Sequence, residues 1–223
     1  MKLICPKISL SMELKKGKAN VLALESSRIF EQVTLMLKEV LEKKSDEISL
    51  YDNEDRYDLI RYADVIFTPF DLTYEKREIQ KKLFLSLQSV AESQDLLSSF
   101  AEINGKLLET LNVLNHQSDY QLEFEEDFVF SAVLKNYSVR MHDPKGSFAE
   151  RSIEYMTNMQ KLLSKNVFLF VNCNAYLTMN DSAYIETCAS YYDLYILFIC
   201  DQQIRLNHSS NEYIIDIDLC EIH

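Results

Sequence analysis

The chain has 223 residues, 47% of them hydrophobic and 26% charged, which fits one globular domain with an insertion and excludes disordered, collagen-like and low-complexity chains. Its 23 Lys+Arg stand against 35 Asp+Glu, a formal net charge of −12, which argues against a nucleic-acid binder that works by bulk electrostatics. Only three glycines are present, Gly17, Gly105 and Gly146, so neither a GxGxxG fingerprint nor a GxxxxGK[ST] phosphate loop is possible.

The N-terminal stretch is broken by Pro6 and Lys7 before a secretory core can form. The longest apolar run, Leu194 to Cys200, is far shorter than the roughly 20 residues that span a bilayer. A cytoplasmic location with no membrane contact is expected. Cys5, Cys173, Cys188, Cys200 and Cys220 are odd in number and lack a CxxC pair, so they read as reduced thiols rather than as a disulfide or zinc framework.

Short apolar runs at Asn20–Leu24, Ile48–Tyr51, Val65–Thr68, Val167–Val171, Leu194–Cys200 and Tyr213–Ile217 predict buried strands. Helices alternate with them. One follows Ser26/Ser27, with Ile29, Phe30, Val33, Met36, Leu37, Val40 and Leu41 at helical spacing; another lies between the runs at 167 and 194, opened by Asn180 or Asp181. Strand, helix, strand at both ends predicts an α/β domain with a mainly parallel sheet.

From Thr73 to about Asn115 the apolar residues recur every three to four positions, predicting some forty residues of helix with a break, if any, at Asn104–Gly105. A further helix is expected from Glu123 to about Tyr137. Another is expected after Asp143-Pro144-Lys145-Gly146, where Ser147 and Glu150 have capping-box spacing. The expected organisation is an α/β head, 1–71 and 165–223, with an inserted all-helical leg, 72–164. A forty-residue helix is about 60 Å long and overhangs so small a domain, so its apolar stripe is expected to be buried by the other inserted helices and by a second subunit.

The segment Asp119-Tyr120-Gln121-Leu122-Glu123-Phe124-Glu125-Glu126-Asp127 holds five carboxylates and no base. In a helix starting at Glu123, residues Glu123, Glu126 and Asp127 share a face at i, i+3 and i+4. Two readings stand: acids favoured in a first helical turn, or oxygen ligands for a hard divalent cation. Asp52-Asn53-Glu54-Asp55 lacks the glycine of an EF-hand loop and reads as surface.

Charge is uneven along the chain. Eleven bases face thirteen acids in 1–71, ten face fourteen in 72–164, and two face eight in 165–223. Without the five clustered acids the leg turns slightly positive. Basic residues gather at Lys15-Lys16-Gly17-Lys18, at Lys43-Lys44, and at Lys76, Arg77, Lys81 and Lys82. Repeated in a ring, one such cluster suffices to line a DNA channel, because phosphate contact depends on local charge. Enzyme signals are poor. His116, His142, His208 and His223 are isolated, and Glu13-Leu14-Lys15 matches the E-x-K spacing of some metal-dependent nucleases only as a triplet common by chance. Asp216 and Asp218 alternate with Ile215, Ile217 and Leu219 as a half-exposed strand does.

Four segments together, GKANVLALESSRIFEQV, ISLYDNEDRYDLIRYADVIFTPFDL, YQLEFEEDF and VFLFVNCNAYLTMNDSAYIETCASYYDLYILFICD, resemble the CRISPR-associated Csn-two family, accessory to spacer acquisition in type II-A systems. The resemblance implies a nucleotide-kinase-like α/β head without a functional phosphate loop and with an inserted helical leg. It also implies a ring-shaped homotetramer that binds Ca²⁺ and threads double-stranded DNA ends. No catalysis is implied, and the partners implied are the CRISPR integrase and the RNA-guided effector nuclease. By the same resemblance Glu123, Glu125, Glu126 and Asp119 are the expected calcium ligands, while Asp127 departs from the family pattern. The DNA-contacting residues Lys15, Lys16, Lys18, Lys81 and Lys82 are chosen from local charge alone. A metal-dependent nuclease and a pure protein-interaction scaffold are the competing functions.

Overall fold

The computed structural model describes residues 1–204, 210–216 and 221–222. The chain forms two compact units, 1–73 with 143–223, and 74–142. In chain order the first unit begins with β1 (Lys2–Cys5), β2 (Leu10–Glu13), β3 (Ala19–Leu24), α1 (Ser27–Leu41), β4 (Ser49–Asp52), β5 (Asp55–Tyr57), α2 (Leu59–Tyr62) and β6 (Ala63–Ile66). The second unit holds α3 (Arg77–Ser93), α4 (Leu96–Gln117) and α5 (Phe130–Asn136). The first unit then resumes with α6 (Phe148–Leu163), β7 (Val167–Val171), α7 (Met179–Tyr191), β8 (Tyr195–Cys200), β9 (Asn211–Ile215) and β10 (Glu221–Ile222).

Strands β9-β3-β8-β7-β6 run parallel in that order, with β10 antiparallel at the β9 edge. Every residue of β3 and β7 is buried, which is why they read as unbroken apolar runs. Alternation along the strands assigns their two faces. Leu22, Leu24, Val167, Leu169, Val171, Leu197 and Ile199 join one core with Val33, Met36, Leu37 and Val40 of α1. The same core takes in Leu3, Leu10, Met12 and Leu50 from a second sheet, the antiparallel β2-β1-β4-β5. On the opposite face Phe170 stacks on Phe198 at 5.3 Å and meets Phe148 of α6 edge-on at 6.0 Å. Tyr155, Met156 and Met159 of α6 and Ile185 and Ala189 of α7 are buried as well. The first unit is thus an α/β sandwich with a parallel sheet in the middle.

Several expectations need correction. The run Ile48–Tyr51 falls on a strand, β4 (Ser49–Asp52), but it sits in the antiparallel sheet; β1, β2 and β5 of that sheet are additional strands that the apolar runs did not signal. Pro6 opens a single 3₁₀ turn, Pro6–Ile8, closed by left-handed Ser9, and so joins β1 to β2 as a hairpin. The helix 148–163, counted above with the leg, belongs to the first unit because its apolar face covers the sheet. The forty-residue helix is two helices. The break falls at Gln94–Asp95, where Asp95 takes a left-handed φ of 52°, a conformation that Asp tolerates better than most residues. Gly105 lies inside α4, with open space where a Cβ would stand. The strand at 213 ends at Ile215, and positions 217–219 lie outside the described residues.

Caps fix the helices on the inner sheet. At α6, Glu150 N donates to Ser147 Oγ at 3.3 Å and Ser147 N to Glu150 Oε2 at 2.7 Å, the capping box expected from the sequence. At α7 the cap is Thr178, two residues before Asn180 and three before Asp181. Asp181 closes the box instead, accepting from Thr178 N at 2.9 Å and Thr178 Oγ1 at 2.7 Å, and these bonds hold its carboxyl below the ordinary range.

Gly17 has φ +68°, and a Cβ there would stand 2.8 Å from Ser190 Cα on α7. Gly17→Ala is expected to cost about 1–3 kcal/mol of unfolding free energy in urea denaturation; an unchanged midpoint would show that the loop relaxes freely. Burial pushes the Cys173 thiol up to about 12, and that of Cys200 likewise to about 12. Because their pKa is raised in the fold, the protons they hold stabilise it fully below the unfolded value near 9.0, and that contribution is lost as pH rises toward about 12. The double variant Cys173→Ala/Cys200→Ala is expected to lose less stability than the parent between pH 8 and 10.5, as read from urea midpoints. Equal losses would sink the assignment.

Candidate nucleic-acid interface

The basic loop 15–18 joins β2 to β3 and is shaped by Asn20, which is fully buried. Asn20 Oδ1 accepts from Lys15 N at 2.8 Å and from Asn211 Nδ2 at 3.0 Å. Its Nδ2 reaches the carbonyls of Lys15, Lys18 and Ile196 at 3.0, 3.1 and 2.9 Å. The loop is therefore a fixed turn at the amino end of β3, and its lysines are exposed. Two of them are committed. Lys16 Nζ lies 3.2 Å from Asp193 and Lys18 Nζ 3.1 Å from the mostly buried Glu186. Lys15 makes no ion pair among the described residues.

Lys81 and Lys82 are both exposed on α3 but face differently, being one residue apart on a helix. Lys81 lines a groove between α3 and α5 together with Arg77 and Lys135, and Lys82 is not part of its lining. The sequence did not assign Arg77 or Lys135 to DNA. Arg77 was legible as the i−4 neighbour of Lys81, whereas Lys135 joins them only through helix packing.

The acidic segment differs from its expected form. Residues 119–127 are not helical, and the helix expected from Glu123 begins at Phe130. Glu123, Glu126 and Asp127 therefore share no helical face. Five carboxylates in nine residues would repel one another at helical spacings, and the segment is instead tied to α4. Leu122 N donates to Asn115 Oδ1 at 2.9 Å and Asn104 Nδ2 to the Glu126 carbonyl at 3.3 Å. All five carboxylate residues, Asp119, Glu123, Glu125, Glu126 and Asp127, are exposed. Among the described residues no three His, Cys, Asp or Glu side chains come together in a group able to hold a metal ion. The four expected calcium ligands do not form a cation site as they stand.

In open α/β sheets ligands bind beyond the carboxyl ends of the parallel strands. The turn there between β3 and α1 is Glu25-Ser26, a carboxylate and a hydroxyl without glycine. After β6, Asp71 Oδ2 accepts from the amides of Phe67 and Thr68, both at 3.1 Å. At the other end of the strands, where β6 begins, a buried cluster went unnoticed in the sequence. Tyr155 OH donates to Asp64 Oδ2 at 2.6 Å, and Lys165 Nζ donates to the Ala63 carbonyl at 2.6 Å while standing 3.9 Å from Asp64 Oδ1. The acid inside the run Tyr62-Ala63-Asp64-Val65-Ile66 was its signal. It ties β6 to α6, with its carboxylate engaged by both partners. Glu13, the one carboxylate of the nuclease-like triplet, is exposed on β2 and belongs to no group of three or more His, Cys, Asp or Glu side chains able to hold a metal ion among the described residues. No helix among the described residues is long and apolar enough to cross a membrane.

No curated protein matches the chain. The model of one protein family, described as CRISPR-associated protein (Cas_Csn2), matches residues 42–219. That span takes in the acidic segment, both helices of the basic groove and every strand of the six-stranded sheet except β3 and β10. With well over half of its length matched, the chain belongs to the Cas_Csn2 family of CRISPR-associated proteins.

Proposed function

We propose that this protein binds the ends of double-stranded DNA as a ring-forming homotetramer that supports spacer acquisition, performs no chemistry itself, and works with the CRISPR integrase and the RNA-guided effector nuclease in the cytoplasm. The observation that carries the reading is the family match over residues 42–219. The layered head supports it. Its likeness to a nucleotide kinase is part of the same proposal, with the glycine-free Glu25-Ser26 turn in keeping with a head that hydrolyses no nucleotide.

Assembly is supported by α4. No residue of this helix is buried, and Leu96, Ile103, Leu107 and Leu114 remain 45%, 63%, 56% and 51% exposed. At 100° per residue these four fall on a single stripe. A monomer leaves that stripe in water; a second copy removes it. Calcium belongs to the proposal as a requirement to be tested, since Glu123, Glu125, Glu126 and Asp119 do not converge and would have to be gathered, or joined by ligands from another copy.

Light scattering on the purified protein is expected to give a mass near four chains, and Ile103→Asp/Leu107→Asp is expected to lower it. A parent that is monomeric at all concentrations would remove the ring. In a gel shift, linear duplex DNA is expected to bind and closed-circular duplex of the same sequence to bind at least ten-fold more weakly. Equal binding to both would sink end threading, and equal binding with calcium and with chelator would remove the calcium requirement.

A further inference from the structure

The groove between α3 and α5 has a volume of about 460 Å³ and is lined by Arg77, Lys81 and Lys135 with no carboxylate among its lining residues. All three basic residues are exposed, and none makes an ion pair among the described residues. Arg77 and Lys81 are one helical turn apart, a spacing at which like charges repel when nothing lies between them. Lys135 adds a third positive charge from the facing helix. Lys7, Lys16, Lys18, Lys44 and Arg56, by contrast, each have a carboxylate partner. A cleft of one sign concentrates the field, and three cations held together without a counter-charge suit a polyanion. Phe84 and Leu85 form an apolar wall beside them, which gives a sugar–phosphate chain a surface for its sugar edge as well as for its phosphates.

We propose that Arg77, Lys81 and Lys135 form a seat for the phosphate backbone of the bound duplex, and that Lys82, Lys16 and Lys18 do not take part in it. The assignment rests on the DNA-binding reading above and adds to it the residues and the place. The guanidinium of Arg77 takes two phosphate oxygens and the ammonium groups of Lys81 and Lys135 act as point charges. None of the three reads base edges, so the seat holds DNA without regard to sequence.

The test is the salt dependence of binding to a linear duplex, followed by fluorescence anisotropy in KCl for the parent, for Arg77→Gln/Lys81→Gln/Lys135→Gln and for Lys82→Gln. Glutamine keeps the helix propensity of these exposed positions. Each phosphate contact contributes about −0.9 to the slope of log K against log salt. The triple variant is therefore expected to lose about 2.7 from the magnitude of the slope, with weaker binding to every sequence, while Lys82→Gln leaves the slope unchanged. If the parent binds DNA and the triple variant keeps its slope, the seat is wrong and the function stands. A parent that fails to bind DNA removes both. A slope loss of about 0.9 at Lys82→Gln, as much as one phosphate contact contributes, means a general charged face and overturns the groove. An unchanged slope with an altered mass in light scattering makes the groove a protein interface and overturns it too.

Discussion

A parallel sheet with apolar side chains on both faces must be covered on both sides, and most of this molecule follows from that requirement. One side of the β9-β3-β8-β7-β6 sheet is closed by α1 and by a second, antiparallel sheet; the other takes α6 and α7. Phe168, Phe170 and Phe198, all nearly inaccessible, would otherwise face water. Burying each such side chain is worth about 1.5–3 kcal/mol, so the second face is a large share of the stability of the unit. This is why α6 is drawn out of the helical stretch that precedes it in the chain and into the head.

What remains to the inserted unit is α3, α4 and α5, whose interior is thin. Ile79, Ala91 and Leu134 are buried on these helices, while α4 contributes no buried residue. The charge of the chain is likewise partitioned. The acidic nonapeptide lies along α4, and three bases without an ion pair among the described residues, Arg77, Lys81 and Lys135, line the groove between α3 and α5. The net charge of −12 is therefore an average over regions of opposite sign, and local arrangement rather than the total governs what an anion meets.

Much of this was legible in the sequence because fully buried parallel strands announce themselves as unbroken apolar runs. The runs at 20, 167, 194 and 213 lie on β3, β7, β8 and β9 with boundaries off by at most two residues. The hairpin β1–β2 was not legible, since four-residue strands with two inward side chains each carry too little periodicity beside a proline. The helix break was misplaced for a different reason. Glycine is the usual marker of interruption, but inside α4 Gly105 costs only its propensity, whereas at Asp95 the backbone turns without one. The acids were read as helical because spacing alone cannot show that Asn104 and Asn115 offer the segment an alternative set of hydrogen bonds. Of the five lysines chosen from local charge, Lys16 and Lys18 proved to have partners from α7 and the turn after it, which no local pattern displays.

The bare α4 helix also bears on how the stability of the molecule is to be understood. A unit that leaves its longest helix without a buried residue gains free energy whenever that surface is covered, and any copy that covers it binds the folded form and not the unfolded one. By mass action the folded fraction then rises with the number of chains present. For the inserted unit, folding and abundance would be a single equilibrium, while the head, closed on both faces of its sheet, keeps a stability of its own.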